Sequence, residues 1–212
     1  MTQKAFQRLH ALRADNTTAR RQQEQMKPRF ERMAGRHENG TAPKAVSAYQ
    51  LFQTPPAIAE QLVDLLDIGA SDMVLEPSAG LGRLLDAIMP RKPAGVWAVE
   101  INADCEKELR NNYACPSVKT FHQDFLAWKA SVFIPFDAVA MNPPFHNRQD
   151  ILHIKHAMKF LNHGGRLAAI CMDTPHREEA LRPLASEWIK LPEASFKDAG
   201  TRVGCCMMLI AI

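Results

Sequence analysis

The chain has 212 residues, of which 46% are hydrophobic and 23% are charged. This length suits one well-buried core with a short appendage, and the composition excludes collagen-like and wholly disordered proteins. The formal net charge of +3 is unevenly distributed, because residues 1–45 hold ten Lys or Arg against four Asp or Glu. We therefore predict a basic helical N-terminal extension with a linker over residues 1–48, followed by one larger domain over residues 49–212.

The sequence also bears on where the protein acts. No apolar run approaches the roughly 18 residues that cross a bilayer, and the polar N-terminus lacks the apolar stretch of a signal peptide. The five cysteines include no CxxC pair, which favours free thiols in a reducing compartment. His153 and His156 lack a third metal ligand. We therefore predict a cytoplasmic protein with no membrane partner and no metal.

The N-terminal extension has the pattern of a weakly amphipathic helix. Apolar residues recur at spacings of three and four up to about residue 36, and Asn-Gly-Thr-Ala-Pro at residues 39–43 ends the pattern. Its arginines and lysines could hold the phosphates of a nucleic acid. A solvated or self-associating helix would explain the same charges, so both interpretations stay open.

Strand-like and helix-like segments alternate through the larger domain. Apolar runs predict strands at residues 73–76, 96–100, 118–121, 136–141, 166–172, 188–191 and 205–212. Helices are predicted after Thr54-Pro55-Pro56 and at about residues 82–89, 102–112, 149–161 and 176–184. Since parallel strands need crossover connections, this is an α/β pattern: a mostly parallel seven-stranded sheet with helices on both faces. The last two strands lack an intervening helix, so we expect a hairpin that gives one antiparallel strand at the end of the sheet.

The first chemical motif is a glycine-containing turn at residues 76–82 (EPSAGLG), between a strand and a helix. Such a turn lets the backbone approach a ligand at the carboxyl ends of the strands, although a tight turn without a ligand looks the same. Glu100 ends the next strand, where its carboxylate can accept hydrogen bonds from both hydroxyls of a ribose. A ribose-containing cofactor is therefore predicted. Leu85 occupies the position where nicotinamide-binding turns need a small residue.

The second motif, residues 142–145 (NPPF), ends an apolar strand. The two prolines fix the backbone that follows the strand. If the Asn142 side-chain oxygen and the Pro143 carbonyl both accept hydrogen bonds from an aromatic amino group, the nitrogen lone pair turns toward a methyl donor. Phe145 then offers an aromatic face to a base flipped out of a duplex. A proline-rich loop that merely caps a strand is the plainer alternative.

Together these motifs resemble the amino-methylating adenine N6 DNA methyltransferases over residues 52–212. The resemblance implies a Rossmann-like class I fold and S-adenosylmethionine as the cofactor, with S-adenosylhomocysteine as the product. It implies that Thr54 and Glu76 face the methionine part of the cofactor, and that Asp124 and Phe125 lie at its adenine. The expected cofactor-binding set is Thr54, Glu76, Pro77, Ser78, Ala79, Gly80, Gly82, Glu100, Ile101, Asp124, Phe125 and Asn142; the expected catalytic set is Asn142, Pro143, Pro144 and Phe145.

The resemblance also implies a nucleic-acid substrate, with DNA favoured over RNA. Phe145, His146, Arg148 and Phe196 are the expected substrate-binding residues, with Phe196 in a late motif whose aromatic side chain faces the flipped base. The loop at residues 145–152 is too short for a target-recognition domain, and nothing follows Ile212. We therefore expect low sequence specificity, or specificity supplied by a partner, and a homodimer is also compatible with the sequence.

Several rival functions fit part of this pattern. An RNA adenine N6, guanine or protein amino methyltransferase would keep every cofactor residue and Asn142. A non-catalytic nucleic-acid-binding or anti-restriction module would keep the fold without needing the whole site. The evidence against it is the joint presence of Glu76, Gly80, Gly82, Glu100, Asp124 and Asn142. A nicotinamide dehydrogenase is disfavoured by Leu85 and by the NPPF loop.

Overall fold

A computed structural model of the protein describes residues 53–129, 135–193, 195–196 and 203–212. The basic extension and linker predicted over residues 1–48 lie outside these residues and stay predictions. The described part contains five α-helices: α1 (Pro56–Leu66), α2 (Arg83–Ile88), α3 (Ala103–Asn112), α4 (Gln149–Ala157) and α5 (Pro175–Leu181). It also contains seven strands: β1 (Met73–Pro77), β2 (Gly95–Glu100), β3 (Val118–His122), β4 (Phe136–Met141), β5 (Leu161–Met172), β6 (Glu187–Lys190) and β7 (Cys205–Ala211).

The seven strands form one sheet in the order β3-β2-β1-β4-β5-β7-β6. The first five strands of this order pair in parallel, whereas β7 runs antiparallel to both β5 and β6. The α/β fold class predicted from the sequence is therefore confirmed, including its antiparallel strand. That strand does not lie at the edge, because β7 is inserted between β5 and β6.

The core lies in two layers, one on each face of the sheet. Adjacent strand residues alternate between the layers, as the two-residue period of a strand requires. Val74 packs with the apolar side chains of α1, α2 and α3, and its neighbour Leu75 packs with those of α4 and α5. Helices therefore cover both faces of the sheet, and the packed side chains fix the positions of the strand ends.

One strand begins earlier than the sequence predicts. We predicted a helix up to about residue 161 and a strand from residue 166, but β5 starts at Leu161. A short 3-10 helix at Met158–Phe160 ends the helical segment, and the strand accommodates an irregular register beside Phe136. Gly164, with φ of 80°, makes this irregularity sterically easy.

The sheet reverses its direction of growth between β1 and β4. From β1 the chain proceeds outward through β2 and β3, and it then returns to build β4 and β5 on the other side. Open α/β sheets bind ligands at such a switch point, beyond the carboxyl ends of the strands. The turn after β1 and the loop after β4 both lie at this position. No helix in the described part of the chain is long and apolar enough to cross a membrane.

Candidate active site

The turn after β1 has the conformation that glycine makes easy. Gly80 and Gly82 have φ of 56° and 81°, and Ser78 also has a positive φ of 69°. The Ser78 and Ala79 amides donate to the Val99 carbonyl at 2.8 and 3.0 Å, which ties the turn to the end of β2. A Cβ atom at Gly82 would lie 2.7 Å from the Tyr113 ring, so this turn also requires glycine for close packing against α3.

The Glu100 carboxylate joins this turn to the end of β2. The side chain is 5% exposed; its Oε2 accepts from the Gly80 amide at 2.6 Å and its Oε1 from the Asn102 amide at 2.8 Å. Each carboxylate oxygen retains capacity for a second donor. The adjacent Ile101 is 63% exposed, so an apolar surface lies beside the acceptor. This arrangement suits a ribose bearing a planar base.

Glu76 places an ionisable side chain in the buried part of the site, where the residue is 2% exposed. Burial, followed by the nearby Asp86 and Glu100 carboxylates, raises the pKa of Glu76 well above its usual value. Its Oε2 is buried and has no hydrogen-bond partner among the described residues. Such an acceptor is suited to a cationic group, which would restore the charged form of the acid. The ammonium group of S-adenosylmethionine is a cation of this kind, so the site fits the cofactor.

The third segment that the sequence predicts at the cofactor follows β3. The Asp124 side chain accepts from the Leu126 amide at 2.9 Å and caps a short 3-10 helix at Phe125–Ala127. Phe125 is buried in an aromatic cluster, with ring centroids 4.9 Å from His156 and 5.4 Å from Phe160. The capping role that Asp124 performs leaves its second carboxylate oxygen to a ligand, so the role implied by the family resemblance stays a proposal.

The loop after β4 begins at Asn142, whose side chain contacts the segment before α1. The Asn142 Nδ2 donates to the Thr54 hydroxyl at 3.0 Å, and Thr54 is 4% exposed. The side chain of the preceding Gln53 accepts from Arg83 Nε at 2.9 Å. Arg83 is the residue that directly follows the glycine turn. Gln53 and Thr54 therefore connect the glycine turn with the NPPF loop.

Beyond Asn142 the loop turns its aromatic residue inward. Phe145 is 7% exposed and Phe196 is 1% exposed, and both belong to the same apolar cluster as Ala79 of the turn. The structure thus brings together two of the predicted substrate-binding residues. His146 is half-buried and Arg148 is exposed, so the predicted substrate set divides into an apolar and a polar part.

Two consecutive residues then adopt left-handed backbone conformations. Asn147 has φ of 49° and Arg148 has φ of 61°. Side chains other than glycine visit this region rarely, and each instance costs about 1 to 3 kcal/mol. The connection from the NPPF loop into α4 is therefore strained, as is common at functional sites.

Arg177 on α5 anchors the loop from the other side, and the sequence did not indicate it. Its Nη2 donates to the Phe145 carbonyl at 2.9 Å, and its Nε pairs with the Asp150 carboxylate at 3.1 Å. Asp150 is fully buried in the first turn of α4. These partners lie 27 and 32 residues from Arg177 along the chain, so no local pattern could reveal them.

His153 on α4, which the sequence raised only as a possible metal ligand, contacts the glycine turn. Its Nδ1 lies 3.2 Å from the Ser78 hydroxyl oxygen, within hydrogen-bond distance. Burial lowers the pKa of His153 to about 4, so the ring is neutral at physiological pH. His153 therefore supports the glycine turn from α4. Across the described ranges, no group of three or more His, Cys, Asp or Glu side chains is arranged to hold a metal ion.

This geometry can be compared with known proteins. The sequence profile of the family described as "Methyltransferase small domain" matches residues 57–191, a span that includes the glycine turn, Glu100 and the NPPF loop. The chain belongs to the methyltransferase small domain family. Membership agrees with the arrangement of the glycine turn, Glu100 and the NPPF loop at one edge of the sheet.

One curated relative is a methylase by name. Modification methylase CviBIII of Paramecium bursaria Chlorella virus NC1A is 30% identical over 99 residues, which are 45% of this chain. The match spans only 26% of that methylase, so the chain corresponds to about a quarter of it.

Two solved structures share the fold. A dimethyladenosine transferase from Plasmodium falciparum has a TM-score of 0.58 at 17% identity, over 75% of this chain and 62% of that one. An RNA methyltransferase from Salinibacter ruber, in complex with S-adenosylhomocysteine, has a TM-score of 0.57 at 15% identity, over 76% of this chain and 93% of that one. At these identities the likeness concerns the fold alone.

Proposed function

We propose that this methyltransferase transfers the methyl group of S-adenosylmethionine to the N6 amino group of adenine in DNA. The observation that carries the proposal is the position of Asn142. It directly follows β4, the strand that pairs in parallel with β1, so it begins the NPPF loop at the same edge of the sheet as the glycine turn. An amino group held by Asn142 would thus lie at the switch point of the sheet, at the edge where the glycine turn also lies.

The cofactor residues have separate tasks in this proposal. When bound, S-adenosylmethionine supplies an electrophilic methyl group. Glu76 receives the ammonium group, since its buried Oε2 otherwise faces no donor among the residues described. Glu100 accepts the ribose hydroxyls, and Asp124 accepts from the adenine amino group. The exposed Ile101 and the turn at residues 77–82 form the surrounding walls.

Asn142 and Pro143 prepare the target amino group. The Asn142 Oδ1 and the Pro143 carbonyl accept its two N–H bonds, which draws the nitrogen toward tetrahedral geometry and frees its lone pair from the ring. Catalysis is then largely a matter of orientation and of fixed dipoles. No strong base is required, because the amino proton becomes acidic once the nitrogen is alkylated.

Phe145 and Phe196 provide the apolar part of the base site. A base in a duplex cannot reach the cofactor, so it must leave the stack, and each stacking contact with an aromatic side chain is worth about 1 to 3 kcal/mol. Both rings belong to one buried cluster that also includes Ala79 of the cofactor turn. A flipped adenine that contacts these rings would therefore lie close to the methyl donor.

We favour DNA as the substrate because the curated relative that matches this chain is a modification methylase. CviBIII is named a modification methylase, a term for enzymes that methylate DNA. The exposed Arg148 and the half-buried His146 follow the NPPF loop and would supply cationic and polar groups for the strand that carries the target. The basic residues 1–48 would add contacts to phosphates that depend on salt and not on sequence. Specificity would accordingly be low or supplied by a partner.

The test is transfer of labelled methyl groups to duplex DNA, single-stranded DNA and structured RNA, followed by nucleoside analysis. We expect N6-methyladenine in DNA, and Asn142→Ala should lower its formation by about 10²-fold or more. Asn111→Ala, an exposed position on α3, is the matched control and should retain the activity. Label confined to RNA would replace the DNA assignment, and cofactor binding without transfer to any nucleic acid would refute the proposal.

A further inference from the structure

The family resemblance implies that Thr54 faces the cofactor, but in the structure its hydroxyl contacts the side chain of Asn142. Its hydroxyl accepts a hydrogen bond from the Asn142 side-chain nitrogen at 3.0 Å, across 88 residues of sequence. Thr54 is 4% exposed, so water cannot readily replace it in this contact. The buried Thr54 hydroxyl is thus hydrogen-bonded to the side-chain amide of Asn142.

We propose that Thr54 is a positioning residue that sets the orientation of the Asn142 amide, an inference that rests on the proposed function. A side-chain amide is planar and carries its acceptor oxygen and its donor nitrogen on two diverging branches. When Nδ2 is held by Thr54, Oδ1 points to the other side, where the target amino group must donate. The reversed amide would present N–H groups to that amino group, and two donors cannot pair.

The segment that carries Thr54 is itself held in place. Pro55 and Pro56 follow it directly and begin α1, and proline restricts the backbone on both sides of this junction. On the other side, Gln53 accepts from Arg83 at 2.9 Å. Since Arg83 is the first residue of α2 after the glycine turn, the Thr54 hydroxyl keeps a fixed position relative to both the cofactor turn and Asn142.

A role of Thr54 in positioning Asn142 and a role in binding the cofactor predict different kinetic effects of its loss. If Thr54 acts through Asn142, its hydroxyl affects the rate of methyl transfer at saturating substrates. If Thr54 only contacts the cofactor, its loss weakens cofactor binding and leaves the saturated rate unchanged. The two roles therefore separate in kinetics.

Thr54→Val removes the acceptor with little change of volume, and Thr54→Ser keeps the hydroxyl. In single-turnover transfer to an adenine-containing DNA duplex, we expect Thr54→Val to be about 10- to 100-fold slower, as for other small misplacements of catalytic groups. Thr54→Ser should recover most of the rate. The dissociation constant of S-adenosylhomocysteine, measured by calorimetry, should stay within about two-fold for both variants.

Thr120→Val provides the matched control. The Thr120 hydroxyl donates to Glu106 at 2.7 Å on the edge strand β3, away from Asn142, so its loss tests what a missing threonine hydrogen bond does to the fold. We expect Thr120→Val to keep the transfer rate. A Thr54→Val enzyme that transfers at the normal saturated rate, whether or not it binds S-adenosylhomocysteine more weakly, would overturn the proposal.

A second readout requires no activity and distinguishes this proposal from the proposed function. In nitrogen-15 spectra of the full chain with S-adenosylhomocysteine, the Asn142 side-chain amide is identified by its absence in Asn142→Ala. Thr54→Val should shift this resonance and accelerate its proton exchange. An unchanged resonance would overturn the role of Thr54 even in an active enzyme. A shifted resonance in a protein that methylates no adenine would support Thr54 while the proposed function fails.

Discussion

Replacing Arg177 with methionine would remove the cation that faces a fully buried carboxylate. The side chain of Asp150 is 0% exposed and that of Arg177 is 12% exposed, so solvent screens their interaction very little. Methionine keeps the apolar stem of the arginine but cannot donate to Asp150 or to the Phe145 carbonyl. The variant therefore leaves one buried charge and one buried acceptor without this donor.

The cost follows from this burial. Removing one partner of a buried ion pair typically destabilises a protein by about 3 to 5 kcal/mol. For a domain of this size, each kcal/mol lowers the midpoint of thermal unfolding by about 2 to 4 °C, so the expected loss is about 6 to 20 °C. Adding Asp150→Asn removes the uncompensated charge, and the double variant should regain much of this loss. Methyl transfer should also slow in Arg177→Met, because the Phe145 carbonyl loses its anchor.

The assay is urea and thermal unfolding followed by circular dichroism. Arg182→Met is the control, because Arg182 forms an ion pair with Glu178 in which the two side chains are 56% and 39% exposed. An exposed pair of this kind is worth at most about 1 kcal/mol. If Arg177→Met unfolds within about 1 kcal/mol of the unchanged protein, the reasoning from burial is wrong. A double variant that is less stable than Arg177→Met would contradict it as well.

Three further predictions concern the site. Since the folded-state pKa of Glu76 is raised, the cofactor-free protein should lose stability as pH rises from about 4.5 toward that value, and Glu76→Gln should abolish this slope in urea unfolding. The pKa of His153 is instead lowered to about 4, so stability should fall as pH decreases from about 6.5 to 4, and an unchanged slope in His153→Gln would contradict this. Gly82→Ala should unfold at a lower temperature than Gly164→Ala and should bind S-adenosylhomocysteine more weakly. Both glycines have φ near 80°, but only at Gly82 would a Cβ atom meet the Tyr113 ring, at 2.7 Å.

The strands of the sheet could be predicted because each is indicated by a short run of neighbouring residues. Each apolar run is long enough to define a strand by itself, and β4 begins and ends where the sequence placed it, at Phe136 and Met141. The position of β7 could not be predicted, since insertion between β5 and β6 depends on pairing preferences between distant segments. The early start of β5 at Leu161 depends likewise on its neighbour.

The candidate site divides in the same way. Asn142 and the glycine turn are short motifs whose residue types carry their chemistry, so the sequence indicated both. Arg177 and His153 act through partners 32 and 75 residues away, and no spacing rule links such positions. The contact of Thr54 with Asn142 spans 88 residues. The sequence implied a place for Thr54 near the cofactor but contained no sign of its hydrogen-bond partner.

The insertion of β7 has a consequence for biosynthesis. Residues 167–171 of β5 are fully buried in the finished sheet, yet one edge of this strand is covered only by β7, which the ribosome makes after β6. The nascent chain therefore presents an unpaired apolar strand while residues 173–204 are being synthesised. Open apolar edges recruit other chains, so the yield of folded enzyme should depend on expression rate and on chaperones that cover β5 until β7 arrives.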